Sequence, residues 1–156
     1  MLSKTTEYTL RAAVFLATSD GEPKTTGDIS RITKVPISYL AKIMQGLVRA
    51  NLVESQRGLH GGFLLTRAPT DVTIYDIVQA VDPIPRITSC PLELEGHDGS
   101  LCLFHSILDK ALGQTETLFR ATKLSDIIAE PEPPSVLGPG ACPFPHNLPT
   151  GGGERG

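Results

Sequence analysis

The stretch from Thr25 to Leu65 constrains this chain most: a short capped helix, a break, a one-sided helix, then two strand-like runs around a glycine-rich loop. Thr25 or Thr26 supplies the hydroxyl that starts the first helix, whose buried edge is Ile29 and Ile32. After Thr33-Lys34-Val35, Pro36 takes a first-turn position where its missing N–H costs nothing. Ile37, Leu40, Ile43, Met44, Leu47 and Val48 then recur at steps of three and four, which makes them the inward face. The opposite face reads Ser38, Lys42, Gln45 and Arg49, with Tyr39 beside it. It carries no acid and can hydrogen-bond throughout, as a helix entering a major groove requires. Leu52–Ser55 and Phe63–Leu65 read as strands, and the Gln56–Gly62 loop between them holds three glycines that permit positive φ and close approach to a partner. Arg57 at its base suits a phosphate or a minor groove. The expected fold class is mainly α with a small β-hairpin wing, a winged helix-turn-helix followed by a long dimerisation helix.

The flanking residues complete that frame. Leu10, Ala13, Val14 and Ala17 give a core-facing first helix within 2–18, and Thr73 caps a fourth over 74–81 that Asp82-Pro83-Ile84-Pro85 stops. Residues 86–100 lack periodicity and read as a loop. Leu103, Phe104, Ile107, Leu108, Ala111, Leu112, Leu118 and Phe119 then give a helix of more than five turns. Its broad apolar face needs a second surface, hence a homodimer. A last short helix covers 124–129. The expected organisation is a DNA-binding unit over 1–82, a sensor or ligand loop over 83–100, a dimerisation helix with a short terminal helix over 101–129, and a disordered Pro/Gly-rich tail over 130–156.

Charge divides along the same line. Residues 1–67 carry nine Lys/Arg against five Asp/Glu, a balance of +4, and the remainder carries five against twelve, −7. The basic half suits a phosphate backbone, and the acidic half must point elsewhere. The chain shows no run of about 18 apolar residues and no basic-then-apolar leader, so a cytoplasmic protein with no membrane partner is expected. At 156 residues it is short for a catalytic barrel. It has no Ser/His/Asp set on rigid elements, no phosphate loop ending in Lys-Ser/Thr and no paired carboxylates, so it is expected not to be an enzyme.

Three cysteines in a chain without an export leader argue for thiols rather than a disulfide framework. Cys90, His97, Cys102 and His105 together offer two thiolates and two imidazoles, suited to zinc or to an iron–sulfur cluster with mixed ligands, with a metal-free pair of small thiols as the third reading. Cys102 and His105, three apart at a helix start, share a face. Cys142 and His146 sit among prolines and read as incidental.

At Ser38-Tyr39-Leu40, Asn51-Leu52-Val53, Arg57-Gly58 with Gly61-Gly62-Phe63, and Ile77-Val78-Gln79-Ala80-Val81-Asp82, the chain resembles the Rrf-type family of winged helix-turn-helix transcription regulators, IscR/NsrR-like. The resemblance covers roughly residues 1–129. It implies a homodimer with crossed long helices on a pseudo-palindromic operator of double-stranded DNA, with Ser38, Tyr39 and Arg57 as DNA contacts. Lys42, Gln45, Arg49, Gly58 and His60 complete the expected DNA-binding set, and Lys34 is a further phosphate contact. The resemblance also implies an iron–sulfur cluster on three cysteines between the fourth and fifth helices. The matching positions here are Cys90, Gly96 and Cys102, followed by His105, so the central cysteine is missing. Glu7 matches an acid that some relatives lend from the partner's first helix, and Arg11 stands where another arrangement needs a histidine. The expected function is a dimeric transcription regulator, a repressor, that senses redox state, iron–sulfur status or metal through Cys90, Cys102 and His105. The competing reading is a metal or electron carrier on a winged-helix scaffold that does not bind DNA.

Overall fold

The computed structural model describes residues 3–90 and 101–129; His97, Gly96, Cys142, His146 and the 130–156 tail lie outside them. The elements run α1 (Lys4–Ala17), α2 (Thr26–Thr33), α3 (Ile37–Arg49), β1 (Val53–Gln56), β2 (Gly62–Leu65), a 3-10 turn (Pro69–Asp71), α4 (Ile74–Val81), α5 (Leu103–Ala121) and α6 (Leu124–Ala129).

Local chemistry explains most of the boundaries. Ser3 accepts from the Thr6 amide at the head of α1, Thr25 from the Asp28 amide at the head of α2, and Thr73 forms a reciprocal capping box with Asp76 at the head of α4. Thr25, rather than Thr26, is therefore the cap of α2. Pro36 stands at the cap position of α3, one residue ahead of the expected first turn. Lys34 ends α2 with φ of +59° and Asn51 follows α3 with φ of +55°, two left-handed residues that turn the chain between elements.

The strands form one antiparallel hairpin with Val53 opposite Leu65 and Gln56 opposite Gly62. Phe63 also pairs through both backbone groups with Lys24, each N···O being 2.9 Å, which ties the wing to the segment before α2. Gly62 is required there, because a Cβ at this position would lie 2.6 Å from the Lys24 carbonyl oxygen.

One core joins α1, α2, α3, β1, α4 and α6 through Ala12, Leu16, Ile29, Leu40, Ile43, Leu47, Val53, Ile77 and Leu124, all buried. The α6 helix returns to this core: the Leu124 amide donates to the Val72 carbonyl and Ile74 N–H donates to Thr122. Gly46 lets α3 and α4 cross closely, since a Cβ there would meet Val81 Cγ2 at 2.9 Å.

Two expected core residues are corrected. Ile37 is 59% and Val48 39% exposed. At 3.6 residues per turn both lie roughly 80° from the centre of the stripe made by Leu40, Ile43, Met44 and Leu47, so the covering elements do not reach them. The α5 helix behaves differently from the rest. Leu103, Phe104, Ile107 and Leu118 on it are all exposed, and His105 is its one buried residue.

Candidate nucleic-acid interface and thiol–imidazole cluster

The outward face of α3 is presented as its spacing requires. Ser38, Tyr39, Lys42, Gln45 and Arg49 are all exposed, while Leu40, Ile43, Met44 and Leu47 behind them are buried. Tyr39 has one edge fixed: its ring meets Tyr8 of α1 edge to face with centroids 5.4 Å apart, and Arg11 stacks over Tyr8. Arg57, Gly58 and His60 lie exposed in the turn of the hairpin, where Gly58 takes φ of +114° and Leu59 stands 96% exposed at the tip. Lys34 is also exposed. Basic and hydrogen-bonding groups are thus exposed both on α3 and in the turn of the hairpin, and the hairpin is tied through Phe63 to Lys24.

Behind this unit, Asp82 accepts hydrogen bonds from Ser3 Oγ and, at 2.7 Å, from Thr6 Oγ1. These donors, Ser3 first, hold its carboxyl below the usual range, and Lys42 adds a weaker attraction. The acid that ends α4 is therefore the lock on the start of α1, a role that the sequence pattern around Asp82 did not reveal.

A second cluster forms where the chain after α4 meets the start of α5. Cys102 is the N-cap of α5, and its Sγ lies 3.1 Å from His105 Nδ1. Cys90 Sγ reaches the same nitrogen at 3.6 Å. Ligand atoms of the three residues lie within 4.8 Å of one another, with Cys90 and His105 buried and Cys102 half-buried. Glu7 stands outside this trio, and its carboxylate is engaged by Arg11 of the same chain.

The segment bearing Cys90 is held in place by contacts that hydrophobic periodicity cannot show. Arg86 Nε and Nη2 donate to the two carboxylate oxygens of Asp109 at 2.7 Å each, Nη1 contacts Glu116, and the Ile87 amide donates to Asp109 Oδ1 at 3.0 Å. The Arg86 bond, with help from Ile87, brings the Asp109 carboxyl down to about 2 and raises the Arg86 guanidinium in turn. Further along α5, Arg120 lies 3.4 Å from the centre of the Tyr75 ring on α4.

The helices and the hairpin together make a winged helix-turn-helix, with a hydrogen-bonding, acid-free face exposed on α3. The profile of the Rrf2 family, described as iron-dependent transcriptional regulator, matches residues 2–130, and the chain belongs to that family. Protein aau3 of Rhizobium meliloti (strain 1021) is 30% identical over 141 residues, covering 88% of this chain and 91% of its own. Two solved structures share the fold. IscR of T. potens has a TM-score of 0.69 at 23% identity, covering 85% of this chain and 88% of its own. CymR (YrzC), the global cysteine regulator of B. subtilis, has 0.66 at 24% identity, covering 81% and 95%. No helix among the described residues is long and apolar enough to cross a membrane.

The iron–sulfur cluster that the family resemblance implies asks for two protein ligands on each of two irons. Among the described residues three donors converge, and two of them touch a single nitrogen. This set suits one centre and does not suit a two-iron rhomb, whose ligand pairs stand at opposite ends.

Proposed function

We propose that this chain is a homodimeric, sequence-specific repressor of the cytoplasm that binds a pseudo-palindromic operator. Each α3 is inserted into a major groove, and DNA affinity is set by the state of Cys90, Cys102 and His105. The observation that carries this reading is the acid-free, exposed row Ser38, Lys42, Gln45 and Arg49, backed by buried apolar residues and followed in the chain by the exposed Arg57 of the braced wing. Lys34, Lys42 and Arg49 contact phosphates and fix the register. Ser38, Tyr39 and Gln45 approach base edges, and Arg57, Gly58 and His60 follow the backbone or the minor groove.

Dimerisation rests on α5, where Leu103 is 79% and Ile107 57% exposed in one chain. An apolar row of this extent is stable in water when a second copy covers it. The first turn of α5 carries both features at once. Leu103 and Phe104 belong to the apolar row, and the Phe104 ring meets the His105 ring at 5.3 Å. Ligation or oxidation at the thiols would therefore shift the start of the dimer helix, and with it the spacing of the two α3 helices. A coupling of about 1–3 kcal/mol suffices for a useful switch.

The test is a binding series on genomic fragments enriched by the purified chain. Arg57→Ala is expected to weaken binding and reduce its salt slope by about one ion. Unchanged affinity and slope would remove the wing from the interface, and failure to enrich any fragment would remove the DNA-binding reading.

A further inference from the structure

Resting on the reading above that this cluster is the regulated site, we infer that Cys90, Cys102 and His105 bind a single borderline-soft divalent cation, zinc or ferrous iron, and not a two-iron cluster.

The first argument is geometric. A tetrahedral ion with sulfur at about 2.3 Å and nitrogen at about 2.0–2.1 Å places its sulfur and nitrogen ligands about 3.6 Å apart and its two sulfurs about 3.8 Å apart. The structure has Cys90 Sγ at 3.6 Å and Cys102 Sγ at 3.1 Å from His105 Nδ1, and all three ligand atoms within 4.8 Å of one another. The trio is therefore compact enough to supply one face of a single tetrahedron, with adjustments of about an ångström or less.

The second argument is the support around the donors. Cys90 arrives on a segment clamped to α5 by Arg86, Asp109 and the Ile87 amide, and Cys102 and His105 are fixed one turn apart by the helix itself. Positions set by rigid elements favour a compact site over one that must open to admit two irons and two sulfides.

The third is donor chemistry: two thiolates and one imidazole match zinc or ferrous iron and disfavour magnesium or calcium, which take oxygen. On binding, each cysteine S–H bond breaks as its sulfur–metal bond forms, and both protons leave to solvent without any change of oxidation state.

The experiment uses the full chain, stripped of metal and titrated anaerobically in separate arms with Zn(II) and Fe(II). Metal analysis, acid-labile sulfide and DNA binding are each measured. One ion per chain with no labile sulfide is expected, and Co(II) in place of the ion should show the intense visible bands of a tetrahedral thiolate site. Cys102→Ser is expected to lower affinity by more than the roughly 10–100-fold that loss of an outer-shell partner costs. His97→Ala and Glu7→Ala are expected to retain one ion per chain. Should Cys90→Ser misfold, the half-buried Cys102→Ser and His105→Gln carry the test. The inference is overturned by two irons and two sulfides per chain after anaerobic reconstitution, by no binding of either metal, or by loss of the ion in His97→Ala. Each of these metal readouts stands apart from DNA binding, so failure of the site and failure of the regulator reading are distinguished.

Discussion

Arg86 holds both carboxylate oxygens of Asp109 at 2.7 Å, and this pair stands four residues before Cys90 on one side and four after His105 on the other. It is the joint that brings the loop thiol to the helix imidazole. Arg86→Ala should therefore free the buried Cys90, and its modification by a thiol reagent should speed up. Arg86→Lys should not restore the wild-type rate, because an ammonium cannot form the two-pronged contact. An unchanged labelling rate in Arg86→Ala would show that the clamp does not position Cys90.

The same pair sets a pH dependence. The folded-state carboxyl of Asp109 is depressed to about 2 from the ordinary 3.8, chiefly by Arg86, so its stabilising contact is present above the ordinary value and is lost as pH falls toward 2. The Ile87 amide, which donates to Asp109, is the reporter. Its NMR shift is expected to titrate with a midpoint near 2, and Asp109→Asn should abolish the transition; a midpoint near 4 would argue against the clamp.

Gly62→Ala tests the bracing of the wing. The added Cβ would sit 2.6 Å from the Lys24 carbonyl oxygen, backbone against backbone, so the Lys24–Phe63 pairing must separate. We expect a loss of about 1–3 kcal/mol in urea unfolding. DNA binding should weaken at protein concentrations where the variant remains folded.

Lys34→Gly separates stability from binding. Lys34 adopts φ of +59°, a conformation that costs a non-glycine residue roughly 1–2 kcal/mol. The glycine variant is expected to melt higher, yet bind DNA less tightly and with a shallower salt slope. A variant of equal or greater affinity would take Lys34 out of the phosphate-contact set.

Ile107→Glu addresses the exposed row of α5. A charge at this position, 57% exposed in one chain, should cost little in the isolated fold but oppose burial against a second copy. Sedimentation should show a monomer, with folding retained by circular dichroism; a dimer of undiminished affinity would place the interface elsewhere.

Much of the fold was legible because its determinants are local. The cap Thr73, a threonine cap at Thr25 or Thr26 that the structure resolves to Thr25, the 3.6-residue stripe of Leu40, Ile43, Met44 and Leu47, and the glycines of the hairpin act within a few residues of one another. Ile37 and Val48 were misread for a related reason: periodicity gives the direction of a face but not how far the neighbouring helices extend over its edge. At the thiol site, the spacing of Cys102 and His105 was readable as one helical turn. The convergence of Cys90 on their shared nitrogen was not.

The sequence by itself determined the central inward stripe of α3, Leu40, Ile43, Met44 and Leu47, that a short hairpin follows it, and which donor types gather after α4, since helical period, capping and turn chemistry are written in neighbouring residues. Only the tertiary structure decided that Asp82 locks Ser3 and Thr6, that Arg86 reaches Asp109 across 23 positions, and that both thiols meet one imidazole nitrogen. Ion pairs and ligand contacts between distant segments leave no period in the chain; they exist once apolar burial has brought those segments together.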